Sequence, residues 1–355
     1  MGDFIPYGRQ SINAADIAAV VEVLQSDWIT QGPVIERFEC AVAQATGAKY
    51  AVAISSATAG LHLACLALGV EAGDRVWTSP NTFVASANCA MYCGAIIDFI
   101  DVDEYTLNIS VSALADKLAR AEQSGTLPKL LIPVHFAGLS CDMAAIERLA
   151  KRYGFLVLED AAHAIGAVYQ GRPVGSCSYS QAAVFSFHPV KIVTTGEGGV
   201  ITTNDEAFYS RLLRLRSHGV SRNPADMTHP PDGDWYYQQL ELGFNYRMTE
   251  MQAALGLSQM QRLNEFCAVR KDKVQYYLQN LPVQHISLPV FDPDSAWHLF
   301  CIRVKDESQR KQIFDGMREK GIGVNVHYIP VHTQPYYQRM GFKLVWRKRL
   351  LYQNS

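Results

Sequence analysis

Short apolar runs alternate with helical stripes along most of the chain. Residues 13–25 carry Ile17, Val20, Val21 and Leu24 at helical spacing behind Asn13, which predicts an amphipathic helix with an asparagine cap. Ala51–Ile54 predicts a short buried strand that runs through Ser55–Gly60 into a helical segment from Leu61 to Leu66. Further strands are predicted at 75–78, 95–100, 130–134, 155–158, 182–187 and 200–203. Asp142 caps a predicted helix with the stripe Met143, Ile146, Leu149 and Ala150, and Gly154 ends it. Residues 221–238, rich in proline, glycine and polar side chains, predict a long loop. Thr249 with Gln252 three residues later then predicts a capping box and a new helix.

Strand–helix alternation over about 200 residues predicts an α/β fold, its mostly parallel sheet covered by helices on both faces. Ligands on such sheets gather at the carboxyl ends of the strands. Asp160, Thr58 and the Asn81–Phe83 segment fall there. We expect three parts: an N-terminal segment 1–12 near the substrate site, a large domain 13–248, and a smaller α+β domain 249–355.

The 355 residues are 48% hydrophobic and 19% charged, a globular composition. With 32 basic against 34 acidic residues the net charge is −2, which gives no basic field for nucleic acid. No apolar run is long enough for a membrane helix, and the N-terminus lacks the pattern of a secretory signal, so a cytoplasmic protein is expected. The eight cysteines form no CxxC pair and have no metal-ligand spacing; they read as reduced thiols, and no metal site is expected.

The chemistry is carried by Asp160, at the end of the apolar run 155–158, and Lys191, 31 positions later in a turn between two strands. A strand-end carboxylate that can pair with a pyridinium, and a lysine that can form a Schiff base, are what a pyridoxal phosphate (PLP) site needs. The carboxylate–pyridinium attraction is about 5 kcal/mol at an effective dielectric near 20, before desolvation. Thr58 and Ala59, at the start of a predicted helix, suit an anion such as the cofactor phosphate, and Ser186 can donate to the same group. Phe83 and His163 are the candidates to sandwich the ring. Gly196, Gly198 and Gly199 after the lysine permit close backbone approach.

Four ordered motifs resemble the DegT/DnrJ/EryC1/StrS sugar aminotransferases: Ser55–Leu61, Glu159–His163, Phe185–Gly199 and Gly243–Met248. The resemblance covers roughly residues 5–342. It implies a fold-type I PLP-dependent transferase, with PMP as the alternate cofactor form. It further implies that Lys191 is the Schiff-base lysine and proton shuttle, that Asp160 binds the pyridine nitrogen, and that Thr58, Ala59 and Ser186 hold the phosphate. Asn245 would reach into the neighbouring subunit's site, which implies a homodimer, and Tyr7, Trp28, Ile29, Thr30, His327 and Tyr328 would line a nucleotide-sugar pocket. Lys191 stands where some family members carry histidine and act as dehydratases, so transamination is implied.

Trp28–Gly32, Arg216–Gly219 and Val326–Pro330 resemble the branch that makes pseudaminic acid, a sugar of flagellin glycosylation. That branch implies amination of a UDP-linked 4-keto-6-deoxy-N-acetylhexosamine with L-glutamate as donor. The same chemistry on a dTDP- or GDP-linked ketosugar is a second reading. A third is a non-catalytic chain, because Lys343–Ser355, with four basic and no acidic residues, does not resemble the family's usual ending.

Overall fold

The computed structural model describes residues 4–342; the Lys343–Ser355 tail lies outside the described residues. The helix α1 (Ala14–Leu24) starts at Asn13, whose side chain accepts from the Asp16 amide while Asp16 accepts from the Asn13 amide. This is the reciprocal satisfaction of free helix-start donors that a capping box supplies. Next come α2 (Pro33–Thr46), β1 (Tyr50–Ile54), α3 (Ala57–Ala67), β2 (Arg75–Thr78), α4 (Ala85–Tyr92) and β3 (Ile96–Phe99). α5 (Val111–Ser124), β4 (Leu130–Ile132), α6 (Met143–Tyr153) and β5 (Leu156–Asp160) complete the first half. α6 has the predicted ends: Asp142 accepts from the Ala145 amide, and Gly154 takes the left-handed conformation (φ 75°).

A small antiparallel pair, β6 (Val168–Tyr169) and β7 (Arg172–Pro173), precedes β8 (Ala182–Ser186) and β9 (Gly199–Thr203). The central sheet has seven strands in the order β1-β9-β8-β5-β4-β2-β3. β9 runs antiparallel to both β1 and β8, and every other pairing is parallel. The strands flanking Lys191 therefore pair, Ala182 opposite Thr203 and Ser186 opposite Gly199.

Alternation along the strands builds a core on each face. Val52, Ile54, Val184 and Ile201 pack with α3 and α4 on one side, while Ala53, Ala183, Phe185 and Val200 pack with Phe38 and Val42 of α2 on the other. Trp77, Leu131 and Val157 turn to α5 and α6. Both faces being covered explains why the strands read as continuous apolar runs.

α7 (Glu206–Leu215) follows the sheet. The expected loop 221–238 holds more order than its composition suggests: β10 (Val220–Ser221) pairs with β11 (Gln238–Gln239), and Gln238 is buried and bonded to Thr228 and His229. α8 (Glu250–Met260) begins at the predicted Thr249–Gln252 capping box and packs on α1 and α2. α9 (Leu263–Asn280), the paired β12 (Ile286–Ser287) and β13 (Arg303–Val304), α10 (Arg310–Glu319) and the short α11 (Pro335–Gln338) supply the smaller α+β part.

Two polar clusters tie distant segments together. Glu250 accepts the amides of Gly32, Val34 and Ile35 at 3.1, 2.8 and 3.1 Å, so a carboxylate on α8 caps α2. Asp16, fully buried, accepts from Ser258, Gln259 and Arg262. All eight cysteines are free thiols, and no helix among the described residues is long and apolar enough to cross a membrane.

Candidate active site

The site forms at the carboxyl ends of β5 and β8. Asp160 closes β5, and its backbone is held by the neighbouring 133–135 segment: its amide donates to the Pro133 carbonyl at 2.9 Å and its carbonyl accepts from the His135 amide at 3.1 Å. The carboxylate is 5% exposed, yet no cationic side chain among the described residues pairs with it. Its Oδ2 accepts from Ser86 at 2.6 Å and its Oδ1 from the Ala162 amide at 3.1 Å. A buried carboxylate without a counter-ion is costly, so this pocket suits a cationic partner that the described residues do not provide.

Lys191 lies five residues beyond the end of β8, in a turn closed by its own amide donating to the His188 carbonyl at 2.8 Å. Burial pulls its ammonium down to about 8, against a smaller opposing pull from Asp160. A substantial neutral fraction at neutral pH is what a nucleophilic amine needs. The same positive charge acts on its surroundings: burial first, then Lys191, pushes His163 well below the usual imidazole range and lowers His327 to about 4.

His163 is 6% exposed. Its Nδ1 accepts the Ala137 amide at 3.3 Å, so this nitrogen carries no proton and the ring is the Nε2–H tautomer. Nε2 therefore donates to the Tyr328 hydroxyl at 3.2 Å, and the two rings lie nearly parallel, 16° apart. The Tyr328 amide is in turn held by Asn81 Oδ1 at 3.2 Å. Tyr7 stacks on His327 with a 5.2 Å centroid distance, and their Oη and Nε2 are 2.7 Å apart. Burial is the main cause that raises the Tyr7 phenol to about 12, and burial also pushes Tyr328 up.

The turn into α3 differs in one detail from the sequence reading. Ser56 is the cap, and its Oγ accepts the Ala59 amide at 3.1 Å, so Ala59 is already engaged. The amides of Ala57 and Thr58 and the Thr58 hydroxyl have no protein partner among the described residues. Two free donors at a helix start are an anion cradle. Gly199 makes the cradle possible, since a Cβ there would lie 2.7 Å from Ala57 N and 2.9 Å from Phe185 O and Ser56 C. Ser186 sits opposite Gly199 on the neighbouring strand and is 8% exposed. The donor set, the uncompensated carboxylate and the low-pKa lysine together fit PLP: a phosphate, a pyridinium and an aldehyde each have a complementary group.

Other residues singled out from sequence are exposed to solvent. Phe83 precedes α4 and is 60% exposed, with no ring partner among the described residues. Asn245 is exposed and bridges to Ser217. Trp28, Ile29 and Thr30 are exposed between α1 and α2; Ile29 accepts the Glu250 amide and Thr30 bridges to Thr249.

Sequence reasoning missed Ser86, His298 and His135 as neighbours of the site. Ser86 stands one helical turn after Thr82, to which it is also bonded at 2.7 Å, a spacing that hints at a shared face but not at Asp160. His298, with its ring 4.5 Å from that of His163, belongs to a distant segment without a motif. His135 and Glu159 form a buried 2.7 Å pair behind Asp160, and the Cys141 amide donates to His135 Nδ1, which directs Nε2–H at Glu159. Gly138 (φ 100°) brings these segments together, since a Cβ there would meet the His298 and Trp297 amides at 2.9 Å and His163 O at 3.0 Å.

Comparison with known proteins agrees with this arrangement. The chain is 40% identical over 348 residues to the spore coat polysaccharide biosynthesis protein SpsC of Bacillus subtilis, spanning 96% of this chain and 87% of that one. Among solved structures, the sugar aminotransferase Spr1654 of Streptococcus pneumoniae in its PMP form superposes with a TM-score of 0.86 at 29% identity, covering 96% of this chain and 88% of the other. Its PLP form gives 0.85. Helicobacter pylori PseC, an aminotransferase of pseudaminic acid biosynthesis, gives 0.84 at 28% identity over 97% and 90% of the two chains. Residues 10–345 match the family model directly, and the chain belongs to the DegT/DnrJ/EryC1/StrS aminotransferase family of PLP-dependent sugar aminotransferases.

Proposed function

We propose that this enzyme transfers the amino group of L-glutamate to C4 of a UDP-linked 4-keto-6-deoxy-N-acetylhexosamine. The product would be UDP-4-amino-4,6-dideoxy-N-acetyl-β-L-altrosamine, a precursor of pseudaminic acid. The observation that carries the transaminase reading is the pairing of a buried, uncompensated Asp160 with a Lys191 lowered to about 8. The resemblance to PseC supports the acceptor.

When bound, PLP supplies an electron-withdrawing ring at the carbon where the amino group changes partners. The chain's residues would act around it. Asp160 would keep a proton on the pyridine nitrogen, and Ser86 and the Ala162 amide hold that carboxylate in place. Lys191 Nζ would hold the cofactor and carry the proton to and from the sugar carbon. His163, neutral and fixed as one tautomer, would form one wall of the ring slot, with Phe83 opposite. Thr58, the neighbouring helix-start amides and Ser186 would bind the phosphate, and Asn245 of the partner subunit would complete that site in a homodimer. Tyr7, His327 and Tyr328, together with Trp28, Ile29 and Thr30, would line the nucleotide-sugar pocket and exclude water. The two-domain division at 248/249, with residues 1–12 near the substrate, belongs to the same reading.

The PLP-loaded protein should convert to its PMP form when L-glutamate is added, with release of 2-oxoglutarate, and the UDP-linked ketosugar should reverse the spectral change. Lys191→Ala should lower turnover by about 10²–10⁴-fold or more. Wild-type turnover in that variant would falsify the reading. A second acceptor class, another nucleotide-linked ketosugar, is favoured by the 40% identity to a protein of spore coat polysaccharide biosynthesis. Reversal by a dTDP- or GDP-linked ketosugar and not by the UDP-linked one would select it.

A further inference from the structure

We propose that Arg270 forms an oxyanion subsite at the edge of the candidate active site, against the Trp297–His298 backbone, which takes either a carboxylate of the amino donor or the diphosphate of the nucleotide sugar. The naming of those two ligands rests on the transaminase reading above; the subsite itself rests on geometry. Arg270 lies on α9 and reaches the 297–298 segment, where its Nη1 donates to the carbonyls of Trp297 and His298 at 3.3 and 3.0 Å. These bonds fix one edge of the guanidinium. The other donors of the fork have no partner among the described residues, and no carboxylate lies within ion-pair distance. Burial lowers Arg270 below the usual guanidinium range, and the groups that act against burial are only the weak acids Cys267 and Tyr7.

Arg270 is partly buried, and its free donors are open to a ligand. Among the described residues no carboxylate pairs with it. Its surroundings reach the candidate site through His298. The His298 ring lies 4.5 Å from His163, and its Nδ1 is buried without a partner. After burial, His163, Lys191, Arg270 and His327 all push His298 down, so these groups share one electrostatic enclosure. Tyr7, stacked on His327, feels the charge of Arg270 directly. A planar fork with free donors suits a two-oxygen anion.

The test uses PLP-loaded protein and two probes that cannot turn over: glutarate, which carries the donor's carboxylates without an amino group, and UDP. Equilibrium binding is measured for wild type, Arg270→Gln and Arg270→Lys. Gln keeps a donor for the two carbonyls but removes the charge, so it should weaken one probe by about ten- to a hundredfold. Lys keeps the charge without the fork and should weaken the same probe by about three- to tenfold. Loss of glutarate assigns the site to a carboxylate, and loss of UDP assigns it to the diphosphate. Unchanged affinity for both probes in whichever variant folds overturns the subsite, as does wild-type protein that binds neither. Neither probe depends on turnover. A protein that binds glutarate through Arg270 but never converts L-glutamate would sink the transaminase reading and leave the subsite standing.

Discussion

Lys191 shows how one residue's surroundings set its chemistry. Burial favours the neutral amine, and Asp160, the nearest opposing charge, does not restore the ordinary value. For a base whose folded pKa is lowered, the neutral fraction falls about tenfold for each pH unit below that pKa. The rate at which cofactor-free protein captures PLP should therefore rise about tenfold per unit up to pH 8 and level off above it. Stopped-flow absorbance across pH 6–10 measures this, and a profile still rising steeply at pH 10 would show a lysine near its ordinary value. Lys191 and Asp160 were legible from sequence because their types and order carry chemistry. Ser86, His298 and Arg270 were not: serine, histidine and arginine on remote segments signal nothing until the fold brings them together. The Ser56 cap was hidden for another reason. Ser55, Ser56 and Thr58 are all plausible caps, and only the backbone angles at Ser56 decide among them.

Among the elements, the β8–β9 pair does most to shape the site. It places Ser186 and Gly199 across from each other and carries Lys191 in the connection between them. Gly199 packs closely against the start of α3, and all three atoms a Cβ would meet there are backbone. Backbone cannot swing aside as a flexible side chain can, so Gly199→Ala should cost about 1–3 kcal/mol and weaken PLP binding by displacing the Ala57 and Thr58 amides. Thermal unfolding and PLP titration measure the two effects, and unchanged PLP affinity would argue against an anion cradle at α3. Helix ends were legible because capping is local: Asn13, Asp142 with Gly154, and Thr249 with Gln252 all act in the structure as their sequence suggests. Strand order was not, since nothing local distinguishes β9, which runs antiparallel between β1 and β8, from the parallel strands. The 221–238 stretch misled because its order comes from side chains such as Gln238 rather than from apolar periodicity.

Across the whole molecule, buried polar ties do the joining that motifs could not reveal. Glu250 serves three amides at the start of α2, 215 to 218 residues away in the chain. Carboxylates at a helix start are stabilising through both hydrogen bonds and the helix dipole. Glu250→Ala should cost about 2–4 kcal/mol, because one buried and two partly buried donors lose their acceptor together. Denaturant unfolding measures it, and a loss below about 0.5 kcal/mol would mean that water replaces the carboxylate freely. The parallel bridge between Ile5 and Ile322 is a second tie: the Ile5 amide donates to Gly321 and the Gly323 amide to the Ile5 carbonyl, and just beyond it Tyr7 meets His327. During synthesis this contact cannot form until more than 300 further residues have left the ribosome. The Ile5 segment therefore lacks this partner until residues 321–323 have been made, and the Tyr7–His327 wall assembles after the sheet strands that precede it in the chain. A nascent chain can build its sheet and α3 early, but it gains this wall of the pocket only when the Ile5 and Ile322 segments meet.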